Sequence, residues 1–99
     1  MVNSYRDDTM VAMKAKGEIF VEKVQTGIRM EKRILKVLKA LAEYLDMTPG
    51  DLLEGVLLHV FEGKTPFGKP TLQRIQQFKD IYRLDLDASA SHRLREKKN

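Results

Sequence analysis

Six of the seven charged side chains from position 23 to position 39 are cationic: Lys23, Arg29, Lys32, Arg33, Lys36 and Lys39 stand against Glu31 alone. At that density guanidinium and ammonium groups bind anions. Arginine grips a phosphate or a guanine edge through a two-pronged fork, while lysine acts as a point charge. This segment carries +5, whereas residues 40–63 contain no Lys or Arg and carry −5. Residues 1–22 contribute −1 and residues 64–99 contribute +5, for a net charge of +4. A basic block set beside an acidic one points to an anionic partner on one face. The competing reading is a charged helix face that meets only water.

Other chemistries find little support. Asp85, Asp87, Ser89, Ser91 and His92 are close in sequence but occupy a loop-like stretch. Neighbours in a loop seldom assemble a nucleophile, a base and an orienting group, so no enzyme and no catalytic residue is expected. Without cysteine there is no disulfide framework or thiolate metal site, and the isolated His59 and His92 do not make a zinc site. No cofactor or metal is therefore expected. No apolar run approaches 18 residues, and no apolar signal segment follows a basic start, so a cytoplasmic protein without membrane contact is expected. At 99 residues with 42% hydrophobic content, the chain suits one small domain whose core is completed across a dimer interface.

Val24–Met30 reads as a short extended strand, and a helical pattern follows from about Glu31 to Leu45. Ile34, Leu38, Leu41 and Leu45 repeat at spacings of 4, 3 and 4 and form one apolar stripe. Thr48-Pro49-Gly50-Asp51 is a helix start, with Thr48 as cap and Pro49 at the first helical position. The second helix, to about Glu62, has a broad apolar face of Leu52, Leu53, Val56, Leu57, Val60 and Phe61. A lone strand among helices has no obvious partner for its backbone groups. Its simplest partner is the same strand of a second copy, antiparallel across a two-fold axis. The expected fold is thus mainly α: a ribbon-helix-helix dimer with an intermolecular two-stranded antiparallel ribbon and an added C-terminal helix.

Gly63–Pro70 is a loop by its Gly and Pro content. Thr71 is a candidate cap for a third helix that places Leu72, Ile75, Phe78, Ile81 and Tyr82 on one side. From Asp85 the pattern dissolves into a polar stretch and a basic tail. Ahead of the strand, a short helix before Gly17 and extended chain after it are expected. The chain then divides into an N-terminal extension (1–22), a ribbon-helix-helix domain (23–63), and a loop, third helix and basic tail (64–99).

The stretch Ile28-Arg29-Met30-Glu31 through Leu45-Asp46-Met47-Thr48, with the pair Ala42-Glu43 and a Thr cap, resembles the ribbon-helix-helix family of MetJ/Arc type. The resemblance covers residues 25–61. It implies a homodimer that inserts its ribbon into the DNA major groove. Thr26, Ile28 and Met30 would face inward, and Gln25, Gly27 and Arg29 would face the bases. Arg29 suits guanine O6/N7 and Gln25 suits adenine N6/N7. Gly27 departs from the pattern, because the middle reading position has no side chain. The resemblance also places a phosphate at the start of the second helix, on Thr48 and the N–H of Gly50, with Lys23, Lys32 and Arg33 as flanking phosphate contacts. Asp51 beside that start opposes a phosphate. Asp46 stands where the family usually has Gly, at a turn that requires the left-handed conformation. The dimer core would comprise Ile28, Met30, Ile34, Leu38, Leu41, Leu53, Val56, Leu57 and Val60.

Two functions follow as expectations. The first is a homodimeric, sequence-specific DNA-binding protein, a transcriptional regulator such as a repressor. The second is a protein-interaction module, antitoxin-like or adaptor, that has lost strong DNA readout. Gly27 and Asp51 favour the second and the +5 block favours the first. Under the first, the third helix and tail in residues 64–99 would pack on the dimer core, bind a protein partner, or mediate dimer–dimer contacts on tandem half-sites.

Overall fold

Lys32–Tyr44 form α1, Pro49–Phe61 form α2 and Lys69–Ile81 form α3, with a 3-10 turn at Ala88–Ala90. These elements are seen in a computed structural model, which describes residues 17–97. The helix expected before Gly17 lies outside the described residues.

Local chemistry accounts for each boundary. At the start of α1 the Glu31 carboxylate accepts the N–H groups of Arg33 (2.8 Å) and Ile34 (3.0 Å). These are two of the donors that a helix start leaves unpaired. At α2, Thr48 Oγ1 accepts the N–H of Asp51 at 3.1 Å, and Pro49 in the first turn forfeits no bond. α3 begins earlier than Thr71. Gly68 is its N-cap, without a side-chain bond, and Pro70 lies in its first turn. A proline ring already holds the helical φ and has no N–H to cap, so the turn forms ahead of Thr71. Thr71 is instead 1% exposed inside the helix.

All three helices end alike. Asp46 N–H donates to Glu43 O and Met47 N–H to Ala42 O after α1. Gly63 and Lys64 repeat the pair after α2, to Val60 and His59, and Arg83 and Leu84 after α3, to Asp80 and Lys79. This double bond pattern needs a left-handed residue at the turn. Asp46 (φ 61°), Gly63 (φ 74°) and Arg83 (φ 56°) supply it.

The core lies where the end of α1 meets the start of α2. Leu41, Ala42 and Leu45 are buried with Leu52, and Leu38, Tyr44, Met47, Val56, Phe67, Ile75 and Phe78 pack around them. α1 is the central helix, in contact with both α2 and α3. The Tyr44 ring meets Phe78 edge-on, Arg74 lies over Tyr44 at 4.6 Å, and Lys36 Nζ sits 5.8 Å from the centre of the Tyr82 ring. His59 is buried on α2, where its Nδ1–H donates to the Gly55 carbonyl at 2.8 Å.

One expectation is overturned. Residues 17–31 contain neither helix nor strand, and the described residues include no β-ladder at all. Among the described residues the two-stranded ribbon is absent and the fold is three helices. An apolar, β-prone segment makes a strand only if another edge lies about 4.8 Å away to receive its N–H and C=O groups. Here the other regular elements are helices, which consume those groups internally. Residues 17–30 therefore form an exposed arm.

Candidate nucleic-acid interface

The arm runs into the capped start of α1 and carries the residues expected to read bases. Gln25, Gly27 and Arg29 are all exposed. A Cβ added at Gly27 would meet nothing within 4 Å, so crowding does not explain the glycine. The arm's apolar side chains are exposed as well: Phe20 is 90% exposed, Val24 81% and Ile28 73%.

Three cations of the basic block, Lys23, Arg29 and Arg33, are held by acids from three different regions. Lys23 Nζ lies 3.2 Å from Asp51 Oδ1 and 3.0 Å from Glu54 Oε1, bridging the arm to the first turns of α2. Its hydrogen bond to Glu54, then that to Asp51, raises the ammonium pKa above its ordinary value. Arg29 donates through Nε to Glu96 Oε1 at 3.1 Å and through Nη2 to Glu96 Oε2. Arg33 Nε donates to Glu31 Oε2 at 2.9 Å, while its Nη1 donates to Asp85 Oδ1 (3.0 Å) and the Arg83 carbonyl (3.1 Å). The bond to Glu31 is the main reason the Arg33 guanidinium is raised. Lys32 is exposed and has no ion pair among the described residues.

Glu31 is half-buried and links cap to cation. Partial desolvation is the largest single influence on its carboxyl and pushes the pKa up. The Ile34 N–H and the guanidinium and N–H of Arg33 together outweigh it, so the group titrates below its ordinary value. Asp87 is also lowered, first by the Ser89 hydroxyl at 2.5 Å and then by the Ser89 N–H at 3.0 Å.

The start of α2 differs from the expected phosphate anchor. Thr48 Oγ1 already accepts the Asp51 N–H and Pro49 has no N–H, which leaves Gly50 as the backbone donor of the first turn without such a side-chain bond. The Asp51 carboxylate beside it is tied to Lys23.

The structure thus brings Lys32, Arg33 and the arm together around one helix start. Thr48 and Gly50 lie at the start of α2, next to the Asp51 that Lys23 holds. Of the expected dimer core, Leu41 is buried and Ile34, Leu38, Leu53 and Val56 are half-buried in the protomer. Ile28, Met30, Leu57 and Val60 face outward, with Leu58 and Phe61 beside the last two. Sequence reasoning missed Glu54, Asp85 and Glu96 as partners of the basic block. Glu96 left a small signal, as the single acid among residues 93–99. Neither a protein-family model, nor a curated protein, nor a solved structure matches this chain.

Proposed function

We propose that the protein is a homodimeric DNA-binding regulator, and a binding protein rather than an enzyme. Its arm and the basic start of α1 face the duplex, with Arg29 directed at base edges in the major groove. The observation that carries this reading is the position of Arg29. It stands on an arm without backbone partners among the described residues, followed closely by Lys32 and Arg33 at a helix start. A fork donor flanked by point charges combines a base contact with phosphate contacts.

Dimerisation rests on the outer side of α2. Leu57, Leu58, Val60 and Phe61 are 46%, 65%, 53% and 75% exposed. Four large apolar side chains on one helix are more than a monomer of this size usually leaves in water. A second copy is the partner that fits, because the chain is self-complementary: residues 23–39 carry +5 and residues 40–63 carry −5.

The test is binding to random-sequence duplex DNA over a salt series, together with sedimentation equilibrium at micromolar concentration. A DNA binder must lose affinity steeply as salt rises, since each neutralised phosphate releases counterions. A flat salt dependence and a folded monomer would overturn the reading.

One observation favours the second function, a protein-interaction module. Lys23, Arg29 and Arg33 are each paired with carboxylates in their own chain, which lowers the charge offered to a nucleic acid. Under that reading the salt slope stays small and the arm serves a protein partner.

A further inference from the structure

We propose that the C-terminal segment 83–97 is a built-in competitor of nucleic acid, holding the arginines of the basic block until a duplex displaces it. The inference rests on the DNA-binding reading above and concerns how that same site is regulated. Both arginines of the block are engaged by this one segment. Arg29 is gripped through Nε and Nη2 by the Glu96 carboxylate. Arg33 donates through Nη1 to the Asp85 carboxylate and the Arg83 carbonyl.

The geometry is that of a mimic. Two carboxylate oxygens facing an Nε/Nη2 fork present the same pair of acceptors as guanine O6/N7 or two phosphate oxygens. Glu96 and a nucleic acid therefore cannot occupy Arg29 together. The segment is aimed by its backbone. Arg83 in the left-handed region turns the chain at the end of α3, and Leu84 and Leu86 are half-buried. Asp87 then caps the 3-10 turn through the Ser89 N–H and hydroxyl, and Arg93 Nη1 donates to the Ser89 carbonyl at 3.1 Å.

The strength suits a reversible latch. The Arg29 and Glu96 side chains are 83% and 68% exposed, and exposed ion pairs are weak and salt-sensitive. Release also reverses the segment's sign of action. Glu96 stands between Arg95 and Lys97, so a displaced tail offers two cations to the same phosphates.

The experiment compares the full-length protein with Glu96→Gln, Arg29→Ala and the double variant on a random-sequence duplex at low salt. The NMR signal of the Arg29 Nε–H group is followed in the free proteins. Glu96→Gln keeps shape and removes charge, and should tighten binding about two- to fivefold, the range of an exposed pair. It should shift the Arg29 Nε–H signal and give no gain when Arg29 is absent. An equal gain with and without Arg29 would show a bulk charge effect and overturn the proposal. Unchanged affinity in a protein that binds DNA would overturn it too, leaving the DNA-binding reading intact. If no variant binds DNA, that reading fails and competition with it, while a shifted Arg29 signal would still report the Glu96 contact as a structural one.

Discussion

The rings of Tyr44 and Phe78 meet edge to face, with centroids 6.3 Å apart and planes inclined at 73°. This contact joins the last residue of α1 to α3, and Arg74 of α3 lies over the tyrosine ring. Such aromatic pairs contribute roughly 0.5–1.5 kcal/mol beyond the area they bury. The third helix therefore helps build the core around α1.

Phe78→Ala should destabilise the protein by about 2–3 kcal/mol, somewhat below the range for a fully buried aromatic because Phe78 is half-buried. Urea unfolding followed by circular dichroism measures it. Truncation after Gly63 should cost more, since it removes Phe67, Ile75 and Phe78 from the core cluster together. A truncated protein with unchanged stability would show that α3 adds nothing to the fold.

Asp46 holds φ 61° at the turn between α1 and α2. A side chain in this region costs about 1 kcal/mol, which glycine avoids. Asp46→Gly should accordingly raise stability by roughly 0.5 kcal/mol after the entropy glycine gains in the unfolded chain. Asp46→Val should lower it, because branching at Cβ makes the left-handed conformation worse. The urea midpoints of the two variants should move in opposite directions.

Glu31 links stability to pH. Its folded carboxyl titrates below the ordinary value of 4.5, so its contribution is present above that pH. The contribution fades as pH falls through the lower, folded value. Glu31→Ala should cost about 1 kcal/mol at neutral pH, the usual loss for a capping side chain. The gap between wild type and variant should narrow as pH falls through that lower folded value, beneath which the carboxyl is protonated in both folded and unfolded chains. A gap that stays constant down to the pH at which the folded Glu31 carboxyl is protonated, as followed by NMR, would assign the effect to packing.

Leu57→Asp distinguishes an interface from a core. Leu57 is 46% exposed in the protomer, so a carboxylate there finds water in the monomer and would meet an apolar partner surface in the proposed dimer. The variant should keep its helical circular dichroism and sediment as a monomer. Loss of helix together with loss of assembly would mean that the protomer does not fold alone.

Arg29→Ala and Lys32→Ala should separate base reading from phosphate binding. On a specific site the first should cost roughly 1–3 kcal/mol and relax preference at one position per half-site. The second should weaken binding to all sequences alike and lower the salt slope by about one. The same loss for both variants on specific and random duplexes would make Arg29 a phosphate contact.

The helices were legible because their signals are local. The apolar stripe of α1, the Thr48 cap and Pro49 act within a few residues, and the boundaries of α1 and α2 agree to about one residue with those signals. The left-handed turn at Asp46 was implied by the resemblance rather than by a local signal. Strand pairing was not legible, because β-propensity makes a segment extended but a ladder needs a second edge elsewhere. Residues 24–30 thus became an arm. Nor could sequence decide where the charges go. Arg33 meets Asp85 across 52 positions and Arg29 meets Glu96 across 67. The density of the charge block shows where the cations lie in the chain. Which carboxylate reaches each cation depends on how α3 packs on α1 and turns at Arg83, and only the tertiary structure decides that.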